Sequence, residues 1–510
     1  MTARCSTVPG MAGWPASCIP SHLAIPAEQD AAAALLARLA GRAPVETHIS
    51  AVFVGADTVW KLRKAVRLTF LDFSTLAERE RTARRELALN TPHAPGLYRD
   101  VVAVTREADG LALGGAGEVV DWVVRMARVP EGDFLDAAIG RLDGGMLDAL
   151  GDAVSAMHAT LPPVARNQEA ALRQVAAGNH QAALAAGLPA ADCDAWLVAI
   201  RTAIDARACW LRERGDAGFV RRAHGDLHLG NLCLWQGRVV PFDALEFDEA
   251  LATIDLGYDL AFLLMDLDVR AGRAAANRVM NRYLARTADW ALVRGLPVFL
   301  SLRAMVRAHV RARSGDAAMG RDYLSRAAAY LAPAVAPVVL AIGGLPGTGK
   351  STVARALAPA LGPAPGAVVV RSDEIRKRLN GVAPETKLPE SAYAPQASDA
   401  VFAGLAAAVG IVAASGHSAI ADAVYLKPQQ RAAVEQAAGG ARFLGVWLTA
   451  AMAVLESRIA ARHGDASDAD VAVLHRATAA EPGISGWLAV EAGDGAEPAG
   501  RIRRLLDEPT

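Results

Sequence analysis

Paired and alternating β-branched residues dominate the chain between positions 48 and 70. The stretch ISAVFVGADTVWKL predicts two strands joined by a turn at Gly55–Asp57, because Gly and Asp favour turns. A helix is predicted over about 75–90, where TLAE has the form of a capping box. Two further apolar stretches, 98–105 and 119–128, predict strands. The segment is therefore predicted to mix strands with a helix.

The pattern then changes twice along the chain. From 133 to about 331 it is helical, apart from a β-rich island at 232–247. The run LAPAVAPVVLAIGG at 331–344 holds two prolines before an apolar strand, which marks a domain boundary. Beyond it, strands alternate with helical stretches, a pattern typical of a parallel sheet wrapped by helices. These strands are predicted at 338–343, 367–371, 418–422 and 443–448.

The predicted elements divide the chain into an N-terminal segment and two domains, as its length of 510 residues favours. Residues 1–44 are predicted to form a tail and a helix. Residues 45–332 are predicted to form an α+β domain, with an N-lobe over about 45–128 and a C-lobe over about 129–332. Residues 337–510 are predicted to form an α/β domain around a parallel sheet.

Composition narrows the classes of function. The formal net charge is −1 and no basic block stands out, so we expect no nucleic-acid partner. The five cysteines are scattered without a CxxC pair, which favours reduced thiols and no zinc site. No signal peptide is recognisable, and no apolar run reaches the roughly 18 residues of a membrane span. We therefore expect a cytoplasmic protein with no membrane partner. The sequence gives no indication of oligomeric state.

The motif HGDLHLGN at 224–231 is the first that carries chemistry. Its Asp226 and Asn231 are five residues apart, as are the Asp and Asn of a kinase catalytic loop. In such a loop the Asp orients or deprotonates an acceptor hydroxyl and the Asn binds Mg²⁺. Asp243 lies 12 residues after Asn231 in the β-rich island, which is the spacing expected of a second Mg²⁺ ligand across a hairpin.

With these motifs, residues 45–330 resemble the aminoglycoside phosphotransferase and choline kinase-like family, which shares the protein-kinase architecture. The resemblance implies that Asp226 is the catalytic base and that Asn231 and Asp243 bind the metal. It also implies a strand lysine that holds the nucleotide phosphates. That lysine is Lys61, in VWKL, with Lys64 as the alternative.

The helix that follows the strand is expected to pair a carboxylate with this lysine. Glu86 is the predicted partner, whereas Glu78 is predicted to cap the helix. No GxGxxG precedes Lys61, and Gly55 is the glycine available there. His224 is predicted to brace the catalytic loop through backbone hydrogen bonds. Asp255 and Asp259 either flank a helix or, as the resemblance implies for the later of the two, brace that loop.

A basic stripe lies further along the chain. Arg303, Arg307 and Arg311 recur every four residues and so share one helix face. The simpler interpretation is a solvated face, and the alternative is a stripe that contacts phosphate or another domain.

The motif GLPGTGKS at 344–351 fits GxxxxGK[ST] and stands between a predicted strand and a predicted helix. Its glycines let backbone N–H groups surround phosphates at the positive end of the following helix. Lys350 is expected to reach the outer phosphates, and Ser351 to bind Mg²⁺. The predicted nucleotide-binding residues of this loop are Gly344, Gly347, Thr348, Gly349, Lys350, Ser351 and Thr352.

Three later signals favour a kinase over other P-loop proteins. In RSDEIRKRL, Asp373 is predicted to accept a hydroxyl proton and Arg376 to hold an anionic group. Asp422, at the end of the strand SAIAD, is predicted to support the Mg²⁺. Arg458 and Arg462 share a helix face before a polar stretch, which suits a lid whose arginines stabilise the transition state.

Residues 337–500 resemble the P-loop kinase group of gluconate kinases, zeta toxins and polynucleotide kinases, and the fused pair resembles a bacterial bifunctional family. The resemblance implies two ATP- and Mg²⁺-dependent sites that phosphorylate hydroxyl groups of small molecules. A second hypothesis makes one module a non-catalytic ATP sensor that regulates the other. A third makes the C-terminal module a polynucleotide kinase, although the chain lacks the basic surface that polyanions favour.

Overall fold

A computed structural model of the protein describes residues 24–68, 71–333, 335–461, 466–479 and 486–508. By their contacts these residues form two compact units. The N-terminal unit lies within Met1–Asp266 and Leu302–Ser325, and the C-terminal unit within Leu267–Ser301 and Arg326–Thr510. Residues 267–301 thus pack with the C-terminal unit. The domain boundary predicted at 332–337 remains a prediction.

A twisted antiparallel sheet opens the N-terminal unit. In its described residues the sheet has six strands in the order β1-β2-β3-β8-β6-β7, and β4 pairs with β5 beside it. The strands are β1 (Val45–Glu46), β2 (Ser50–Val54), β3 (Thr58–Arg63), β4 (Arg67–Leu68), β5 (Leu71–Asp72), β6 (Tyr98–Glu107), β7 (Gly110–Leu113) and β8 (Glu118–Ala127). The predicted hairpin is confirmed as β2 and β3, with Val52 opposite Lys61.

Helices account for about half of the described residues up to 329. They are α1 (Asp30–Ala40), α2 (Leu76–Asn90), α3 (Gly144–Thr160), α4 (Gln168–Ala185), α5 (Ala190–Asp205), α6 (Ala208–Asp216), α7 (Glu249–Ala252), α8 (Leu256–Arg270), α9 (Arg273–Thr287), α10 (Leu296–Arg313) and α11 (Ala317–Ala329). Helix α2 begins after Thr75, whose side chain accepts a hydrogen bond from the Glu78 amide, so the predicted cap is confirmed.

Two small antiparallel pairs interrupt these helices. They are formed by β9 (Val220–Arg222) with β12 (Thr253–Asp255), and by β10 (Leu232–Trp235) with β11 (Arg238–Pro241). The predicted β-rich island is thus the hairpin β10–β11. It follows the HGDLHLGN loop directly and places the next carboxylates beside that loop.

A parallel sheet forms the centre of the C-terminal unit. Its five described strands have the order β14-β15-β13-β16-β17. They are β13 (Val338–Gly344), β14 (Val368–Arg371), β15 (Ala419–Asp422), β16 (Arg442–Thr449) and β17 (Leu488–Glu491). The helices around them are α12 (Lys350–Leu357), α13 (Ser372–Leu379), α14 (Pro395–Ala414), α15 (Pro428–Ala437), α16 (Met452–Ala460), α17 (Val471–Ala479) and α18 (Pro498–Asp507).

Helix α9 covers the edge strand β14 of this sheet. The Asn281 Oδ1 accepts a hydrogen bond from the Val369 amide at 2.7 Å, and its Nδ2 donates to the Ala367 carbonyl at 3.2 Å. Asn277 donates to the same carbonyl at 3.0 Å. These asparagines satisfy backbone groups that an edge strand otherwise leaves open.

Helix α14 is the one described helix that is long and apolar enough to cross a membrane, by length and composition alone. Only 33% of its most apolar window is buried, yet its buried side chains, among them Phe402, Leu405 and Val409, lie on the side that contacts the sheet. Such a pattern is also that of a core helix in an α/β domain.

The predicted fold class is confirmed in both parts. An α+β unit with a strand-rich part and a helical part is followed by an α/β unit with a parallel sheet and a P-loop.

Candidate functional site

The loop that holds Asp226 and Asn231 lies between β9 and β10 and is braced by Asp259 of α8. The Asp259 carboxylate accepts hydrogen bonds from the backbone amides of His224, at 3.1 Å, and Gly225, at 2.9 Å. The His224 ring bonds the Phe242 carbonyl at 2.9 Å, which confirms its predicted bracing role. Of the two interpretations of Asp259, loop bracing is the one the contacts support.

The Asp226 side chain is 43% exposed. The Asn231 Nδ2 donates to the Asp226 backbone oxygen at 2.9 Å and to its Oδ2 at 3.0 Å, which leaves the Asn231 Oδ1 for a cation. Burial raises the pKa of Asp226, but His228, Arg307 and His224 outweigh it and hold this pKa below its ordinary value. Asp226 is therefore a carboxylate throughout the physiological range.

Lys61 lies between two carboxylates. Its Nζ is 2.9 Å from the Glu86 Oε1 and 2.6 Å from the Asp243 Oδ1. Burial lowers the pKa of Lys61, but Asp243 and Glu86 outweigh it and raise this pKa, so the ammonium is charged. Lys64 instead bonds Glu46 and the Thr47 carbonyl, each at 2.7 Å. Lys61 and Glu86 thus occur together as predicted from the motif, and Lys64 lies apart from them.

Asp243 has a left-handed backbone, with φ of 60°. A non-glycine residue in this region carries strain that the surroundings must offset, and such residues cluster at functional sites. The Asp243 amide donates to the Tyr98 hydroxyl at 3.2 Å, and the next amide, of Ala244, donates to the Asn90 Oδ1 at 3.0 Å. Strand β6 and helix α2 therefore hold the turn that presents this carboxylate.

Arg63 is a member of the cluster that the motifs did not indicate. It is fully buried, bonds the second oxygen of Glu86 and lies 2.5 Å from the Glu246 Oε1. Burial raises the pKa of Glu246, and Arg63 offsets part of that rise. The alternation of β3 is the signal that could have revealed it, since residues 61 and 63 point to one face.

An apolar pocket lies under the sheet beside Lys61. Its lining includes Val52, Val59, Leu97, Met126, Phe134 and Phe242. The turn between β2 and β3 precedes Lys61 and has no GxGxxG motif. Arg128 donates to the Gly55 carbonyl and Arg99 donates to the Thr58 hydroxyl, and these bonds hold the turn.

The arginine stripe of α10 is not a solvated face. Arg303 is 6% exposed and donates to the carbonyls of Tyr258, at 3.1 Å, and Gly225, at 3.2 Å. Arg307 lies 3.8 Å from Asp266, which accepts a hydrogen bond from the Leu229 amide. The interpretation as a solvated face was wrong for these two arginines, because Arg303 bonds the HGDLHLGN loop directly and Arg307 lies beside a carboxylate that bonds it.

In the C-terminal unit, the P-loop joins β13 to α12. Gly344, Gly347 and Gly349 all have positive φ, of 139°, 87° and 83°. A Cβ at Gly347 would lie 2.8 Å from the Leu455 carbonyl oxygen, so a side chain there would clash. Lys350 bonds the Gly344 carbonyl at 2.9 Å. Thr348 is buried and bonds the Leu345 carbonyl at 2.9 Å.

Ser351 and Asp422 meet at the ends of adjacent elements. The Ser351 hydroxyl donates to the Asp422 Oδ2 at 2.6 Å. Arg371, at the end of β14, lies 3.3 Å from the same carboxylate oxygen and 3.0 Å from the Ser351 Oγ. The motifs indicated Ser351 and Asp422 but not Arg371.

A cavity of about 1180 Å³ opens beside the P-loop. Lys350, Ser351, Thr352, Asp373, Asp422 and Arg458 line it. Asp373 is the second residue of α13, whose N-cap is Arg371, so Asp373 is not the cap. Arg376 also lines the cavity, while its guanidinium donates to the Ala392 carbonyl at 2.6 Å.

Residues 467–470 also line this cavity. The Asp468 Oδ2 accepts hydrogen bonds from Lys377 at 2.6 Å, from the Tyr393 hydroxyl at 2.6 Å and from the Leu388 amide at 3.0 Å. Arg458 donates to the Ala492 carbonyl at 2.8 Å. Arg462, the second predicted lid arginine, lies outside the described residues.

Residues 339–482 match a family model described as an AAA domain. The match contains the P-loop, Asp373 and Asp422. The uncharacterized protein Rv2004c of Mycobacterium tuberculosis is 28% identical over 450 residues, which are 83% of this chain and 87% of that protein.

Two solved structures are also similar to parts of the chain. A gluconokinase from Sinorhizobium meliloti is 25% identical, covers 33% of this chain and 88% of its own, and has a TM-score of 0.23. A choline/ethanolamine kinase family protein from Mesorhizobium loti is 15% identical, covers 60% of this chain and 95% of its own, and has a TM-score of 0.35. The C-terminal unit thus contains the residues that match the AAA-domain model, and the P-loop lies among them.

The residues of both units fit a magnesium–nucleotide ligand. Among the described residues no three His, Cys, Asp or Glu side chains cluster as a metal site. Mg²⁺ needs no such cluster in a kinase, because it binds one or two protein ligands together with substrate phosphates and water. The P-loop glycines leave room that a Cβ would fill, and the hydroxyl of Ser351 is already oriented by Asp422.

Proposed function

We propose that the protein is an ATP-dependent phosphotransferase with two nucleotide sites, each of which transfers the γ-phosphoryl group to a hydroxyl of a small molecule. The observation that carries the proposal is the position of Lys61 within hydrogen-bond distance of both Glu86 and Asp243. A lysine paired with a helix carboxylate beside a metal-binding aspartate is the arrangement that kinases use to hold nucleotide phosphates.

In the N-terminal site, Lys61 binds the phosphates while Glu86 fixes its ammonium. Asn231 and Asp243 hold Mg²⁺, which neutralises charge on the phosphates when bound. Asp226, ionised and partly exposed, orients the acceptor hydroxyl and takes its proton. The acceptor oxygen then bonds to the γ-phosphorus as the bond to the β–γ bridging oxygen breaks, and ADP leaves.

In the C-terminal site, the amides of the P-loop and Lys350 bind the phosphates, and Ser351 holds Mg²⁺ with Asp422 behind it. Asp373 lines the same cavity on the acceptor side, where it receives the hydroxyl proton. Arg458 and Arg462 stabilise the negative charge of the transferring group. The cavity has the volume for a small acceptor, and the net charge of −1 argues against a polyanion. Both reactions belong to a cytoplasmic protein.

Nucleotide stoichiometry and acceptor turnover test the proposal together. We expect titration calorimetry with a non-hydrolysable ATP analogue and Mg²⁺ to give two sites per chain, and Lys350→Ala to leave one. A metabolite library with ATP should yield one set of products that disappears with Asp226→Asn and another that disappears with Lys350→Ala. Binding at two sites with product loss in only one variant would indicate that the other module is a sensor, and would contradict the bifunctional proposal.

A further inference from the structure

Arg371 ends β14 at the point where the parallel sheet presents Asp422 from β15. The two residues are direct partners in the strand register, and Arg371 is 5% exposed. A buried guanidinium is always charged and needs several acceptors. Its partners include the Asp422 Oδ2 at 3.3 Å, the Ser351 Oγ at 3.0 Å and the Glu374 Oε1 at 3.1 Å.

Two of these three partners are the groups that the proposed function assigns to Mg²⁺. A serine hydroxyl has one proton and two lone pairs. Ser351 directs its proton to Asp422, and Arg371 donates to one of the lone pairs. A Mg²⁺ ion bound to Ser351 therefore has to use the remaining lone pair, with a guanidinium as its neighbour on the same oxygen.

Mg²⁺ and the Arg371 guanidinium, bound to the same oxygen, would repel each other, and this repulsion is strong in a buried site with little water. Arg371 also neutralises part of the negative charge of Asp422, on which the attraction of the metal depends. Glu374 bonds a different nitrogen of the same guanidinium, Nη1, and draws the cation towards α13. The position of Arg371 between Asp422 and Glu374 thus affects how strongly the metal is held.

Resting on the proposed function, we propose that Arg371 is a positioning residue that sets the Mg²⁺ requirement of the C-terminal site. It aligns Ser351 with Asp422 and at the same time weakens the hold of both groups on the metal. The nucleotide then binds with full strength only when Mg²⁺ is abundant. Glu374 limits this effect by holding the guanidinium on its far side.

The test measures the Mg²⁺ concentration that gives half-maximal binding of a non-hydrolysable ATP analogue, read by calorimetry and by the rise in melting temperature. All proteins are full-length and carry Asp243→Asn, so that the N-terminal site contributes no metal dependence. We expect Arg371→Met to lower the half-maximal Mg²⁺ concentration about tenfold and Arg371→Lys, which keeps the charge, to leave it within twofold of the parent. Arg371→Gln keeps a hydrogen-bond donor without charge, and it replaces Arg371→Met in the test if the methionine variant folds poorly. We expect it to lower the half-maximal Mg²⁺ concentration as well.

Arg431→Met is the matched control. Arg431 is a buried arginine of the same unit that bonds the Tyr425 and Leu426 carbonyls instead. A merely structural role of Arg371 predicts that both methionine variants lower the melting temperature and leave the half-maximal Mg²⁺ concentration unchanged, which would overturn the inference. An increase of that concentration in Arg371→Met and Arg371→Gln would overturn it as well. If the parent shows no Mg²⁺-dependent analogue binding at all, the proposed C-terminal function fails together with the inference.

Discussion

Asp243 combines an unusual backbone conformation with an ion pair to Lys61. Its left-handed φ of 60° directs the carboxylate to Lys61, and Tyr98 and Asn90 hold the turn from the other side. Asp tolerates this region better than most residues because its short side chain bonds locally. Glu246, three residues on, is instead bonded to the buried Arg63. The carboxylates of Asp243 and Glu246, three residues apart, thus form ion pairs with different cations, Lys61 and Arg63.

Replacing Asp243 by Asn should abolish metal-dependent turnover at the N-terminal site, because an amide carries no charge to hold Mg²⁺. We expect a loss of about 10²–10³-fold in kcat, measured in a Lys350→Ala background that silences the other site. Glu246→Gln is the control. It should lower the melting temperature and leave kcat nearly unchanged. The assignment fails if the Asp243 variant keeps its rate and the Glu246 variant loses it.

The position of Asp373 distinguishes helix capping from general-base catalysis, the two roles considered for this residue. Because Arg371 is the N-cap of α13, Asp373 is an acid of the first turn and not the cap, and a first-turn acid contributes about 0.3–1 kcal/mol. As a general base it contributes about 10²–10⁴-fold in rate.

We therefore expect Asp373→Asn to lower the C-terminal transfer rate by about that factor and to leave ATP affinity nearly unchanged. The rate is measured in an Asp226→Asn background. Glu390→Gln, an exposed carboxylate of the same cavity, should keep the rate. Normal turnover in Asp373→Asn would remove its catalytic role.

At the scale of elements, hydrophobic periodicity and turn or capping residues predicted those helices, strands and loops that depend on residues close together in sequence. The hairpin β2–β3, the helix from Thr75 and the P-loop between β13 and α12 follow from local patterns. The short strands β7 and β17 carry no such pattern and were not predicted. The stripe of Arg303 was misread because periodicity shows that polar residues share a face, but not whether a loop covers that face. Arg63 and Arg371 were missed for the same reason, since the partners of a cation come from distant elements.

The connection between α14 and β15 should make the C-terminal unit acid-sensitive. His417, 1% exposed, lies there with its ring bonded to the Gly366 carbonyl at 2.9 Å. Burial lowers its pKa from 6.5 to about 4. Between these values the unfolded chain binds the proton and the folded chain does not, so stability falls as the pH drops below 6.5.

This histidine alone should cost about 2 kcal/mol at pH 5 relative to pH 7.5. Melting temperature as a function of pH checks this, with His417→Gln expected to flatten the acid limb. His475→Gln is the control, because His475 is exposed and should leave the curve unchanged. An identical acid limb in wild type and His417→Gln would show that the ring does not titrate as expected.

For the whole molecule, the compact units and the predicted domains differ over residues 267–301. The proline-rich stretch at 331–337 is a boundary in composition, but helix α9 lies before it and bonds the edge strand β14. A sequence pattern marks where one kind of structure stops, and it does not show which earlier helix returns to cover a later sheet. The predicted fold class was unaffected, because it depends on the order of strands.

A fragment that starts at 335 should consequently be less stable than the same residues in the full chain. In the full chain, Asn281→Ala should lower the stability of the C-terminal unit by about 1–3 kcal/mol, since the Val369 amide of β14 loses its partner, whereas the Ala367 carbonyl keeps the hydrogen bond from Asn277. Asn380→Ala is the matched control, because the Asn380 amide bonds its own helix at Arg376. Denaturant unfolding checks both, and an Asn281→Ala curve that coincides with wild type would contradict the role of α9.

The ion pair between Lys61 and Asp243 bears on the order in which ligands reach the N-terminal site. Free Mg²⁺ would have to share Asp243 with a buried ammonium 2.6 Å away. A nucleotide that arrives with its metal brings phosphate oxygens, which replace Asp243 as the partner of Lys61 and release the carboxylate. We therefore expect the site to take up the metal–nucleotide complex as one ligand, so that initial rates follow the concentration of the complex and not that of either component.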